Sequence, residues 1–86
     1  MEVYFHRNFK KRYKTVPVKI RKQFEKRLEL FLENVYEPLL NIHPLTGDRN
    51  GEWSMNVTGD WRAIYIIVDD HSYMFIDLDT HSNLYR

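Results

Sequence analysis

Near the end of the chain the run Thr80-His81-Ser82-Asn83-Leu84-Tyr85 follows directly on a strand-like stretch, Tyr73 to Asp79, so a histidine and a tyrosine stand where a strand stops. Upstream, Thr58-Gly59-Asp60-Trp61-Arg62-Ala63-Ile64-Tyr65 can bring an acid and an arginine beside them. A proton shuttle, a cation and a phenol together suit phosphodiester chemistry. Histidine with an ordinary pKa near 6.5 both takes up and releases protons at neutral pH, and such a group contributes typically ~10²–10⁴-fold in rate. His81 is the leading candidate, and Tyr85, one helical turn on, can project from the same face to stack on a base or donate to a phosphate oxygen. The plainer role for this pair is to plug a short terminal helix.

Other candidates are weaker one by one. His43 precedes Pro44 in a polar loop and is expected to be extended and exposed. Asp60 begins a strand, where its carboxylate can orient a histidine or cap a turn. Trp61 and Arg62 must face opposite sides of their strand. Arg62 opens an otherwise apolar run and needs an anionic partner, either a carboxylate such as Asp77 or Asp79 or a bound phosphate. No two of the four histidines have the close spacing of a zinc site and the chain contains no cysteine, so neither a metal nor a cofactor is expected. No phosphate-cradling glycine loop or nucleophile elbow is present.

These residues must be positioned by a single domain spanning 1–86. Glu2 to His6 alternates as a first strand. A basic helix over Arg7 to Lys14 places Phe9 and Tyr13 on one face. Thr15-Val16-Pro17 reads as a stop followed by an N-cap and a proline suited to a first turn. From Val18 to about Tyr36, Ile20, Phe24, Leu28, Phe31 and Val35 recur at helical spacing, and Glu37-Pro38 ends the helix. Residues 39 to 52 read as a loop or irregular strand with a turn-rich Thr46 to Gly51 segment that includes Arg49. Strands over Trp53 to Val57, Trp61 to Val68 and Ser72 to Asp79 follow, joined by turns short enough to make them antiparallel. The expected fold is α+β in the order β-α-α-β-β-β, with two N-terminal helices packed on a small twisted, mainly antiparallel sheet.

A net charge of +1 conceals a strong asymmetry. Residues 1–27 carry ten basic side chains against two acids, a net of +8, and the remainder carries three against ten, a net of −7. A basic half, with Lys10, Lys11, Arg12 and Lys14 at its centre, suits a polyanion such as RNA, although lysines also simply solvate helix faces. The start lacks the pattern of a signal peptide and no apolar run approaches spanning length, so a cytoplasmic protein without a membrane partner is expected.

His43-Pro44-Leu45, a glycine-bearing turn, Trp53, Asp60-Trp61-Arg62-Ala63-Ile64-Tyr65 and Thr80-His81-Ser82-Asn83-Leu84-Tyr85, in that order, resemble the RelE/ParE superfamily of bacterial toxins, and especially its YafQ-like branch. The likeness covers almost the whole chain. It implies a ribosome-dependent mRNA endonuclease of a type II toxin-antitoxin system, with a cognate antitoxin, the ribosome and mRNA as partners, and operator DNA reached only through the antitoxin complex. It also implies that His43, Asp60, Trp61, His81 and Tyr85 form the active-site cluster, with Trp61 and Tyr85 holding bases or the sugar-phosphate, and that Arg62 matches an arginine that RelE-like and YoeB-like members set against the phosphate. One departure stands in the first strand of the meander: Asn56 occupies a position, four before the acid, that often holds a second central histidine in that branch. The lysine-rich catalytic surface of RelE has no clear counterpart. Arg49 and Asn56 join the basic helix residues as expected substrate contacts. Two other readings remain: a ParE-like inhibitor of DNA gyrase without ribonuclease activity, whose branch generally lacks the terminal Thr-His-x-x-Leu-aromatic pattern, and a non-catalytic module that binds RNA or protein.

Overall fold

A computed structural model describes residues 1–85. The elements are β1 (Glu2–Phe5), α1 (Arg7–Tyr13), α2 (Val18–Glu33), β2 (His43–Pro44), β3 (Glu52–Asn56), β4 (Trp61–Asp69), β5 (Ser72–Thr80) and α3 (His81–Leu84), with 3₁₀ turns at Pro38–Leu40 and Gly47–Arg49. Five strands form one sheet in the order β1-β5-β4-β3-β2. Only the β1–β5 pair is parallel, and the other pairs are antiparallel. The α+β class and the two N-terminal helices are as expected. The three-strand meander is preceded by a two-residue β2 inside the segment read as a loop or irregular strand, where His43 pairs with Ser54 and Pro44 with Trp53. So short a strand leaves almost no alternation in the sequence to reveal it.

Two helix boundaries differ from expectation. The second helix ends at Glu33, three residues early, with Asn34 as its C-cap, because Tyr36 and Glu37 belong to the turn leading into Pro38. Thr15 does not cap it. The N-cap is Pro17, which has no side chain to offer, and the Thr15 hydroxyl instead donates to the Arg12 carbonyl at 2.7 Å, closing the end of α1.

The main core lies between the helices and one face of the sheet. Phe9, Phe24 and Phe31 from the helices meet Met55, Val57, Ala63, Tyr65, Phe75 and Leu78 from the strands and their ends. Phe31 is fully buried, with its ring 5.1 to 5.6 Å from Tyr65, Tyr73 and Phe75 in edge-on geometry. Such aromatic pairs add about 0.5–1.5 kcal/mol beyond their area.

The opposite face of the sheet is shaped by a bulge. Strand alternation alone places Phe75 with Asp77 and Ile76 with Leu78. Between Ile64 and Tyr65 the register slips, so that Tyr65 faces Phe75 while Ile64 faces Asp77. The extra residue, Ile76, lets both Phe75 and Leu78 point at the helices and turns Asp77 and Asp79 to the other side. There Ile64, Leu45, Leu84 and Ile76 form a second, smaller apolar cluster that seats α3.

Candidate active site

A cleft of about 580 Å³ opens above this smaller cluster, lined by His43, Pro44, Leu45, Thr46, Asp48, Arg49, Arg62, His81, Leu84 and Tyr85. Three segments distant in sequence converge on it: β2 with the turn-rich loop that follows it, the start of β4, and α3 with Tyr85 after it.

His43 is held by its own loop. Its Nδ1 lies 2.9 Å from the carbonyl of Asn41, a residue in the left-handed region at φ 45° that asparagine tolerates. A carbonyl only accepts, so Nδ1 carries the proton and the neutral ring presents Nε2 as its basic atom. His81 begins α3, after the N-cap Thr80 whose side chain accepts from the Asn83 amide. Its own amide donates to the Asp60 carbonyl at 2.8 Å, which ties α3 to the β3–β4 turn. The His81 and Tyr85 rings lie 4.6 Å apart between centroids, so the two side chains do share one face of the terminal turn.

Arg62 lines the cleft, and of the two partners expected for it, a carboxylate or a bound phosphate, no carboxylate pairs with it among the described residues. Its Nη1 donates to the carbonyls of Thr58, Gly59 and Trp61 at 2.9, 2.9 and 3.3 Å, which anchors the guanidinium on the turn it follows. Nε and Nη2 make no bond among the described residues, and those are the atoms that can meet an anion. Asp77 and Asp79 are engaged elsewhere. Asp79 pairs with Arg12 at 3.0 Å, and Asp77 lies 4.0 Å from both Arg12 and Arg49. Arg49 in turn binds Glu52 at 2.8 Å, so the second arginine of the cleft is partly neutralised.

The remaining candidates fall outside the cleft. Asp60 is exposed, and it is the Thr58 hydroxyl that caps the turn by accepting from the amides of Asp60 and Trp61. Asp60 touches His81 through its main chain, not its carboxylate. Trp61 packs against the main core on the far side of the sheet, as the alternation with Arg62 requires. Asn56 stands opposite Arg62 in the β3–β4 register, but its Oδ1 is buried without a hydrogen-bond partner. Lys10, Lys11 and Lys14 are exposed on α1 and just after it, away from the cleft, and Arg12 is bound by Asp79. Among the described residues no three histidine or acidic side chains cluster as metal ligands would, and no helix is long and apolar enough to cross a membrane.

Sequence reasoning missed Leu45 and Leu84, the floor of the cleft, and the pair Asp79 and Asn83 beneath and on α3. The spacing Asp79 to Asn83, four residues across a Thr80 cap, is the one signal that could have found the latter.

A family model described as ParE toxin of type II toxin-antitoxin system, parDE, matches residues 3–85. The chain belongs to this toxin family. Membership in the RelE/ParE superfamily therefore stands, as the terminal and Asp60-to-Tyr65 motifs implied. The toxin is also 35% identical over 43 residues to endoribonuclease HigB of Proteus vulgaris, a match spanning 50% of this chain and 47% of HigB. It thus covers about half the length of that relative. Among solved structures, YafQ from E. coli strain BL21(DE3) superposes with a TM-score of 0.82 at 20% identity, covering 99% of this chain and 98% of YafQ. A YoeB/ParE toxin from Agrobacterium tumefaciens gives 0.77 at 18% identity over 94% of this chain and 99% of its own. YafQ in the E. coli DinJ-YafQ toxin-antitoxin complex gives 0.79 at 21% identity, covering 99% of this chain and 97% of that one. At these identities the likeness establishes the toxin's fold and no more.

Proposed function

We propose that the toxin is an endoribonuclease that cleaves mRNA on the translating ribosome in the cytoplasm, and that a co-expressed antitoxin neutralises it. The observation that carries this reading is the convergence of His43, Arg62, His81 and Tyr85 on one cleft from separate segments. The partial match to an endoribonuclease supports it further.

The chemistry follows from those groups. His43 Nε2 removes the proton of a 2′-hydroxyl, whose oxygen attacks the adjacent phosphorus. Negative charge builds on the non-bridging oxygens as the bond to the 5′-oxygen lengthens, and the Arg62 guanidinium, already fixed on three carbonyls, meets it with its unbonded nitrogens. Protonated His81 gives its proton to the departing 5′-oxygen. The products are a 2′,3′-cyclic phosphate and a 5′-hydroxyl. Tyr85, whose ring lies tilted against that of His81, orients it and offers a face to a base. Arg49 contributes to substrate binding. Trp61 and Asp60 act from outside the cleft: Asp60 through the carbonyl that holds His81, Trp61 by anchoring the start of β4 in the core. Lys10, Lys11 and Lys14 bind ribosomal RNA.

A second reading is favoured by the family match itself, whose description is that of ParE. A ParE-like toxin would poison DNA gyrase by binding it, with no RNA chemistry. Inducing the protein in a bacterial host separates the two. The nuclease produces new mRNA 5′ ends within translated codons and leaves gyrase supercoiling intact, and the gyrase poison does the reverse.

A further inference from the structure

The helix that begins with His81 and is capped by Tyr85 has four residues, too few to be stable alone, since one turn gains a single hydrogen bond for several fixed dihedrals. Something must hold it at the angle the cleft requires. Leu84 packs into the small apolar cluster and the His81 amide is held by Asp60, which fixes the helix at two points. A third point lies beneath it.

Asp79, 7% exposed, is the last acidic residue before the helix. Its Oδ1 accepts from the Thr80 amide at 2.7 Å and from Nδ2 of Asn83 at 3.0 Å, and its Oδ2 lies 3.0 Å from Nη1 of Arg12. One buried carboxylate thus joins β5, the first turn of α3 and the end of α1, which already packs on β5 through Phe9 and Phe75. Asn83 lies two residues from His81 and two from Tyr85, so the Asp79–Asn83 bond sets the roll of the helix midway between the two cleft side chains. Arg12 satisfies the charge that makes a buried acceptor of this kind tolerable.

We propose that Asp79 is a positioning residue which, braced by Arg12 and acting through Asn83, orients α3 so that His81 and Tyr85 face the cleft. The kinetic consequence rests on the endoribonuclease reading, whereas the orientation does not. Asp79→Asn keeps the shape of the side chain but loses the charge that binds Arg12. Asn83→Ala removes the other end of the bond at an exposed position and guards against a poorly folded Asp79 variant.

Two measurements on the full chain test the proposal. In the NMR spectrum the His81 ring protons, displaced by the Tyr85 ring at 4.6 Å, should move toward unstructured values in both variants while core methyl resonances hold. In single-turnover cleavage of mRNA on translating ribosomes, the rate at saturation should fall about tenfold to a hundredfold, with half-saturation shifted by less than about threefold, in line with the misplacement of a proton-transfer group. The double variant should fall no further than the worse single one, as coupled residues do. His81 resonances unmoved in folded Asn83→Ala overturn the positioning role. Wild-type protein that cleaves nothing overturns the nuclease reading and leaves the NMR result to decide the role of Asp79.

Discussion

Arg62 and Asp79 stand directly opposite each other across β4 and β5, yet their charges do not pair. Asp79 turns to Arg12, and Arg62 turns to three main-chain carbonyls at the β3–β4 turn. An arginine neutralised by its cross-strand aspartate would have little attraction for a phosphate. Bound among the described residues to carbonyl dipoles through one nitrogen, it keeps its charge and a fixed direction.

Arg62→Ala should therefore lower the cleavage rate about 10²–10³-fold, the usual loss on removing a donor aimed at developing charge. Arg62→Lys should recover only part of it, because an ammonium cannot hold the turn carbonyls and face the phosphate with separate nitrogens. Circular dichroism should show both variants folded. A rate unchanged in Arg62→Ala would remove this residue from the site.

The histidines should separate in a pH profile. With His43 held as the Nδ1–H tautomer and assigned the base, His43→Gln should flatten the acidic limb of the rate profile. His81→Gln should flatten the alkaline limb. Each should lose about 10²–10⁴-fold at neutral pH. Limbs exchanged between the two variants would reverse the assignment of base and acid.

The basic helix gives a salt prediction. Replacing Lys10, Lys11 and Lys14 with alanine should reduce the slope of log affinity against log salt for ribosome binding by about 0.7–0.9 for each phosphate no longer neutralised. The chemical step on bound mRNA should not change, since none of the three lines the cleft. An equal slope would show these lysines to be solvated surface.

Tyr65 supplies a test of the core. Burial, reinforced by neighbouring Tyr73 and Tyr36, pushes its phenol well above the ordinary value of 10.0. A group whose pKa is raised on folding holds more protons folded than unfolded, so its contribution is intact below about pH 10 and is lost as pH rises toward the folded value. Stability measured by urea unfolding should fall above about pH 10 by up to about 1.4 kcal/mol per pH unit from this residue. Tyr65→Phe should make that alkaline decline shallower.

How much of this was legible in the sequence differs by element. The long helix, the three-strand meander and the pairing of His81 with Tyr85 all follow from periodicity and spacing, because each depends on neighbours within a few residues. The anchoring of Arg62 did not follow, since its partners are carbonyls and carry no side-chain signature. Nor did the faces of β5, because the bulge at Ile76 breaks the alternation and no residue type announces it. The family resemblance sets Trp61 among the site residues, whereas the strand alternation that the sequence displays sends it away from Arg62 and into the main core.

If one cleft, with His43, Arg62 and His81 around it, breaks RNA by attack of its own 2′-hydroxyl, the ends it leaves identify the chemistry. Those ends can be read on mRNA incubated with translating ribosomes and either the wild-type toxin or His81→Gln. The wild type should give fragments with 5′-hydroxyl and 2′,3′-cyclic phosphate ends, and these should nearly disappear with His81→Gln. Intact mRNA with the wild-type protein, or 5′-phosphate ends, would contradict the assignment.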